Sequence, residues 1–380
     1  MNILTSQDTF TAKYGTDGQY PLSPEEWERY AKECMDPGAF GYIQSGAGGE
    51  ESMKANEKAF KRWQIKPRVL RDVSAVDTNV EIMGRTYSAP VFVAPVGVQK
   101  IAHDEGELAS AKATASLQLP MIASTVSSYP LEEIASVLGT SPKWFQLYWS
   151  TNEKVSYSMI RRAEKAGYEA IVLTVDTVTL GWRETDLRNG YSPLKRGFAS
   201  ANYVQDPAFL ESLPDREEET IIDYIEQNIN HPALNWEDVK SIKQHTSLPL
   251  VIKGILHPED AKLALKYGAD AIIVSNHGGR QLDGCIGALD ALPEVVEAVE
   301  GKIPVLFDSG IRRGIDVLKA LALGAAAVLV GRPYIYGLAV DGESGVKRVL
   351  ENLLQEFKLS LTLSGIASIK EVSSIEMVKQ

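Results

Sequence analysis

An α/β fold, the closed (β/α)8 TIM barrel, is what this 380-residue chain predicts, and three observations lead there. From Val91 onward, apolar runs of four to seven residues alternate eight times with amphipathic segments of ten or more. The runs are apolar almost throughout rather than at every second position, as strands covered on both faces must be. No G-x-G-x-x-G turn follows the first run, which weighs against an open, doubly wound sheet. A strand–helix unit repeated and closed into a ring satisfies all three. The whole of 1–380 is then one domain, with an N-terminal arm and helices over 1–60, a barrel over about 91–365 and a lid loop over about 190–235.

Residues 1–20 read as a loose polar arm. Ser23, Pro24 and Glu25-Glu26 then supply an N-cap, a proline at the first helical position and a capping-box glutamate, starting a helix that runs to about Cys34. Pro37 breaks it. A second short helix over 40–45 carries Tyr42 and is closed by Gly46, within the run Ser45-Gly46-Ala47-Gly48-Gly49. Residues 61–90 read as irregular strands and turns covering one end of a core. Barrel strands are predicted at 91–95, 121–124, 144–148, 170–176, 250–255, 271–277, 304–310 and 327–333. Helical patterns between them include 106–117, 152–167, 258–268 and 313–324, and a closing helix over about 344–364 packs outside the last strands. Between Gly190 and Trp236 the connection after the fourth strand far exceeds an ordinary βα loop, which marks a lid or a disordered insert. Its acidic run from Asp215 to Thr220 reads as a solvated helix start.

Composition excludes several classes of function. A formal net charge of -11, with no basic tail or stripe, argues against a nucleic-acid partner. Two cysteines, Cys34 and Cys285, fit a reducing compartment and leave no disulfide framework or cysteine-based metal site. No metal is expected. No apolar run reaches membrane-spanning length, the first twenty residues lack a signal-type apolar region, and Val378-Lys379-Gln380 is not a peroxisomal address. A cytoplasmic protein is expected.

The chemistry gathers at the strand ends, which in such a barrel converge on one pocket. The stretch 271–284 runs from a buried strand into Ser275-Asn276-His277-Gly278-Gly279-Arg280, placing a titratable base and a fixed cation three residues apart on a glycine-freed backbone. That pairing suits a carboxylate-handling site better than a solvated surface turn. The other ends contribute Pro95 and Gly97, Ser124, Gln146 and Tyr148, Thr174 and Asp176, then Lys253, Asp308, Gly310 and Arg312, and finally Gly331-Arg332. For Ser124 or Thr174 alone, a satisfied core polar group is an equal reading; the ensemble carries the weight. Strands seven and eight end in Asp308-Ser309-Gly310-Ile311-Arg312-Arg313-Gly314 and Gly331-Arg332-Pro333, where barrels hold a phosphate on glycine N–H groups, a helix N-terminus and an arginine. Gln146, Ser124, Thr174 and Lys253 suit the edge of a planar ring, and a lysine there stabilises negative charge developing on it, as reduction of a flavin demands.

Ser275-Asn-His-Gly-Gly-Arg-Gln-Leu-Asp-Gly284, with Phe307-Asp-Ser-Gly-Ile-Arg-Arg-Gly314, resembles the FMN-dependent L-2-hydroxy acid oxidases, a family that includes lactate oxidase, glycolate oxidase and lactate 2-monooxygenase. Tyr42 before Ser45-Gly46-Ala47, Trp144-Phe-Gln-Leu-Tyr148, Leu173-Thr-Val-Asp176 and Arg183 fall in the same pattern, so the resemblance spans about residues 22–372. It implies FMN as cofactor, a small 2-hydroxy acid and O2 as partners, no membrane, and a homotetramer. His277 would be the base, Asp176 would hold its imidazolium, and Tyr42, Arg183 and Arg280 would clamp the substrate carboxylate. Tyr148 would hydrogen-bond the hydroxyl oxygen, and Lys253 would sit beside the flavin N1–C2 carbonyl.

Two positions depart from the oxidase members, which carry alanine where this chain has Gly97 and tyrosine or tryptophan where it has Val126. The monooxygenase is similar at both, and also along Gly181-Trp-Arg183 and Asn202-Tyr-Val-Gln-Asp-Pro207. Neutral drift in packing is one reading. The other is a roomier pocket that retains keto acid and peroxide until they react to acetate, carbon dioxide and water. The lid is shorter than the monooxygenase's, which points to release. The expected activity is therefore L-lactate oxidase, with lactate 2-monooxygenase the alternative. An FMN-dependent isomerase and a non-enzymatic flavoprotein are the competing classes, and neither needs His277, Arg280 and Arg183 around a carboxylate.

Overall fold

In the computed structural model, which describes residues 20–380, eight parallel strands close into a barrel. In chain order the strands are β1 (Trp63–Lys66), β2 (Val80–Ile82), β3 (Arg85–Tyr87), β4 (Val91–Val93), β5 (Met121–Ser124), β6 (Lys143–Leu147), β7 (Ile171–Thr174), β8 (Leu250–Ile255), β9 (Ala271–Val274), β10 (Val305–Phe307), β11 (Ala327–Val330) and β12 (Glu376–Lys379). Strands β4 to β11 form the barrel, and β11 returns to pair with β4 through Val328–Val91, Leu329–Phe92 and Val330–Val93. All eight predicted strands are present, each within a few residues of its expected bounds. The predicted loose arm lies outside the described residues, apart from Tyr20.

The helices are α1 (Pro24–Cys34), α2 (Pro37–Gln44), α3 (Glu51–Arg62), α4 (Gly106–Ser116), α5 (Leu131–Leu138), α6 (Glu153–Lys165), α7 (Glu184–Asn189), α8 (Ala201–Val204), α9 (Pro207–Ser212), α10 (Glu218–Ile229), α11 (Trp236–Gln244), α12 (Pro258–Lys266), α13 (Ala288–Val299), α14 (Gly314–Ala322) and α15 (Arg332–Leu363). Helix α1 begins as its sequence dictates, with the Ser23 side chain accepting from the Glu26 N–H in a capping box. Three expectations need correction. Pro37 does not merely break α1; it occupies the first turn of α2, whose N-cap Asp36 accepts from the N–H groups of Gly38 and Ala39. Helix α3 was not expected at all. The long connection expected over 190–235 is not a disordered insert, because three helices, α8 to α10, form in it and anchor it through buried Tyr203, Phe209 and Ile225.

The core has two parts. Inside the barrel, Phe92, Ile122, Trp144, Val172, Val251, Ile273, Leu306 and Leu329 fill the ring. The hairpin β2–β3 plugs its N-terminal end with Ile82 and Tyr87. The Tyr87 ring packs tilted against Phe92 with centroids 5.1 Å apart, and the Phe92 ring lies 4.8 Å from that of Trp144. Between barrel and helices lies the larger apolar layer. With one mouth plugged by Ile82 and Tyr87, the cavity among the described residues opens at the C-terminal strand ends, where the polar residues stand.

Candidate active site

The organising turn is three residues of left-handed backbone in succession: His277 (φ 57), Gly278 (φ 66) and Gly279 (φ 76). The glycines are required by close approach as well as by φ. A Cβ on Gly279 would stand 2.5 Å from the Met53 backbone nitrogen of α3, and one on Gly278 would stand 2.7 Å from Arg332 Nη1. His277 carries a Cβ in the same region, so its surroundings must hold it there. The N–H groups of His277 and Gly278 donate to Ser275 Oγ and Ser309 Oγ, both at 3.0 Å.

His277 Nδ1 lies 2.8 Å from Asp176 Oδ1, at the end of β7, and 3.2 Å from Thr177 Oγ1. A carboxylate on Nδ1 places the proton there and leaves Nε2 with its lone pair. Burial lowers the pKa of His277 below the ordinary value, more strongly than Asp176 raises it, so the ring is neutral at pH 7. Burial works to raise Asp176, but His277 and Lys253 bring its carboxyl down to about 2. A neutral imidazole backed by a fixed carboxylate is a base poised to accept a proton.

Lys253, on β8, is fully enclosed. Its Nζ donates to Ser275 Oγ at 3.0 Å and lies 3.4 Å from Asp308 and 4.0 Å from Asp176. Burial opposes the ammonium, yet Asp308 and Asp176 hold its pKa above the ordinary value. Burial pushes Tyr148 up to about 12, with Asp176 adding to the shift, so its hydroxyl remains a donor.

Two guanidinium groups share the opposite wall with Tyr42. The Tyr42 ring centroid lies 4.9 Å from Arg280 Cζ and 6.0 Å from Arg183 Cζ. Arg183 donates from Nε to the Arg280 carbonyl and from Nη2 to Gln281 Oε1, whereas Arg280 donates to the Ser45 carbonyl. Among the described residues neither donates a hydrogen bond to a carboxylate, although Asp186 lies near enough to act on both. Burial lowers Arg280 to about 9, neighbouring Arg183 adds to the effect, and Asp186 opposes it. Two largely buried guanidinium groups on one wall, hydrogen-bonded to neutral groups among the described residues, can receive a carboxylate ligand.

These groups line one cavity of about 960 Å³ at the C-terminal mouth. Of the residues expected at the site, Tyr42, Pro95, Gly97, Ser124, Val126, Tyr148, Arg183, Lys253, His277, Arg280, Asp308, Gly310, Arg312, Gly331 and Arg332 face it. Four stand behind the wall: Asp176 and Ser275 act on His277 and Lys253, while Gln146 accepts from Ser124 and donates to Thr174. Gln146 and Thr174 are thus joined to each other just behind the cavity wall. Arg332 also differs from expectation. Its guanidinium donates to the carbonyls of Ile43, Gly278 and Ser45 at 2.9–3.0 Å, tying α2 to the His277 turn. The pair Gly97 and Val126 offers no extra room at its contact, since a Cβ on Gly97 would stand 2.5 Å from Val126 Cγ2 and 2.7 Å from the Val126 carbonyl oxygen.

Sequence reasoning missed Asn56, Ser309, Glu107 and Gln281. Gln281 lies inside the quoted motif, and its amide bridges Arg183 to the carbonyls of Asp176 and Thr179. Asn56 and Glu107 sit on helices without motif context, so only the fold brings them near.

A family model for FMN-dependent dehydrogenases matches residues 31–379, and the chain belongs to that family. Among its relatives, an L-lactate oxidase of Lysinibacillus sphaericus (strain C3-41) is 52% identical over 100% of this chain and 98% of its own length. An L-lactate oxidase of Nostoc sp. is 44% identical over 93% of this chain and 97% of its own, and human 2-hydroxyacid oxidase 1 is 42% identical over 91% and 94%. A crystal structure of mandelate oxidase superposes with a TM-score of 0.86 at 42% identity, covering 95% of this chain and 99% of that one.

The residues present fit FMN. The cavity of about 960 Å³ is of a size to take a mononucleotide and a small acid together. Ser309 and Gly310 (φ 79 and 103) precede the N-terminus of α14, Gly331 precedes that of α15, and Arg312 lies between them on the cavity wall, a donor-rich and cationic setting for a phosphate. Lys253 and Ser124 face the remaining space.

Proposed function

We propose that this chain oxidises L-lactate and related L-2-hydroxy acids to the 2-keto acid, with O2 reduced to hydrogen peroxide. The observation that carries the reading is His277, backed by the Asp176 carboxylate, in one cavity with the guanidinium groups of Arg183 and Arg280. The lactate oxidase relatives support the same substrate class.

Arg183 and Arg280 bind the substrate carboxylate, with Tyr42 packed against both, and so fix which face of the α-carbon is presented. Tyr148, kept protonated, donates to the hydroxyl oxygen. His277 accepts the substrate proton at Nε2, and Asp176 stabilises the imidazolium that results. FMN, when bound, supplies the two-electron acceptor; Lys253, Ser124, Gly310, Arg312 and Gly331 would hold it. Protonation of His277 removes the base, so activity falls as pH drops through its lowered pKa and is retained above it. The same reading makes the protein a cytoplasmic homotetramer.

The likeness of Gly97 and Val126 to lactate 2-monooxygenase, rather than any room they make, leaves one second outcome, retention of the keto acid and its conversion to acetate. Product analysis decides between them. Anaerobic L-lactate, not D-lactate, should bleach the yellow protein, and aerobic turnover should yield pyruvate and peroxide in equal amounts. Stoichiometric acetate would make it a monooxygenase. His277→Gln should bind FMN but lose reduction by at least about 10³-fold, in the range of removing a general base. Reduction at the normal rate would remove His277 from the mechanism.

A further inference from the structure

We propose that Asn56, on a helix outside the barrel, is a positioning residue that sets the conformation of His277 through Asn276. The proposal rests on His277 as the base, but its placement is measured separately below. Asn276 directs the left-handed turn, because its Oδ1 accepts the Gly279 N–H at 3.1 Å while its backbone N–H donates to Ser309 Oγ at 3.3 Å. For Oδ1 to face that N–H, the amide must not be flipped, and Asn56 dictates which way it points. Asn56 Nδ2 donates to Asn276 Oδ1 and Asn276 Nδ2 donates to Asn56 Oδ1, both at 2.7 Å, a reciprocal amide pair. Asn56 Oδ1 is itself oriented by the Ala288 N–H at 3.0 Å, and Asn276 Nδ2 reaches the Ile286 carbonyl at 3.3 Å.

Both amides are buried, so water does not substitute for either partner. An asparagine inside a helix is a poor helix former, and helix stability alone gives no reason to bury it. Its geometry has another use. The amide ring fixes Asn276, Asn276 fixes Gly279, and the chain between them contains His277 with φ 57. A flipped Asn276 would set Nδ2 against the Gly279 N–H, donor against donor, and release the turn.

Asn56→Asp tests this with an almost isosteric change. An oxygen then faces Asn276 Oδ1, or Asn276 flips and loses the Gly279 N–H. With FMN bound within threefold of the wild-type Kd, reduction at saturating L-lactate should fall at least tenfold. The downfield proton of His277 Nδ1, assigned by its loss in His277→Gln, should shift or broaden. That proton reports the turn whether or not His277 is the base, so failure of the base reading and failure of this one are told apart. Val295→Ala, a buried change on α13, should lower stability without moving either readout. Asn56→Ala provides the second variant. If both Asn56 variants, folded and FMN-loaded, reduce within twofold of wild type with the proton unmoved, the proposal is overturned. If neither folds or binds FMN, Asn56 is a folding residue, and the proposal is likewise overturned.

Discussion

At the scale of single residues, burial sets the charge of Glu107, His277 and Arg280, whereas charged partners overcome it at Asp176 and Lys253. Glu107, on α4, is wholly enclosed. Its Oε1 accepts the backbone N–H groups of Gln99 at 3.0 Å and Ser128 at 2.9 Å, stitching together the loops that carry Gly97 and Val126, while Oε2 has no partner among the described residues. Burial pushes its carboxyl up to about 7 despite those two donors. Between the ordinary carboxylate range and pH 7 the folded protein keeps a proton that the unfolded chain releases. The associated stability is therefore full at acid pH and is lost as pH rises through about 7. Glu107→Gln has no charge to bury, so it should gain on wild type by about 2–3 kcal/mol between pH 5 and pH 8 in urea unfolding. A difference that stays flat with pH would mean that Glu107 is ionised throughout. His277 and Arg280 obey the same rule, with burial lowering each cation-forming group and so making one a base and the other a receptor for an anion.

Between elements, the site is made where loops meet. The loops after β4 and β5 touch through Gly97 and Val126, and the Val98 N–H donates to the Val126 carbonyl at 3.0 Å. Gly97→Ala should therefore force the loops apart, destabilising by about 1–3 kcal/mol as overpacking does. Val126→Ala on top should restore part of that, since it removes one of the two clashes and leaves the carbonyl. Full additivity of the two changes in a double-mutant cycle would show that the pair is not in contact. Helix α3 illustrates how an element outside the barrel becomes part of its site. Ser52 donates its N–H to Asp283 Oδ1 at 2.8 Å, Met53 packs on Gly279, and Asn56 holds Asn276. Three residues within little more than the first turn of one helix thus grip the segment that bears His277 and Arg280.

Over the whole molecule, the aromatic plug and the polar mouth divide labour along the barrel axis. Trp144, fully buried between Phe92 and the ring interior, belongs to the closed half. Trp144→Ala should cost about 3–5 kcal/mol in unfolding free energy while leaving the KM for L-lactate unchanged at room temperature. A KM that shifts with stability would show the two ends to be coupled. The site itself is cationic in a chain of net charge -11, because Arg183, Arg280, Lys253, Arg312 and Arg332 all converge on one mouth.

Much of this was legible in the residues alone. Continuous apolar runs determined the eight strands, since a strand buried on both faces has no polar alternative, and the motif around His277 marked an imidazole and a neighbouring cation that share the cavity. Capping residues placed α1 for the same local reason, a side chain bonding its own helix end. What only the tertiary structure decided were contacts between residues far apart in sequence: Asn56 with Asn276, Gly97 with Val126, Arg332 with the carbonyls of α2, and the burial that sets the charge of His277 and Glu107. A propensity or a motif acts over a few neighbours, whereas a hydrogen bond across 220 residues and the loss of water around an ionisable group exist only once the chain has closed on itself.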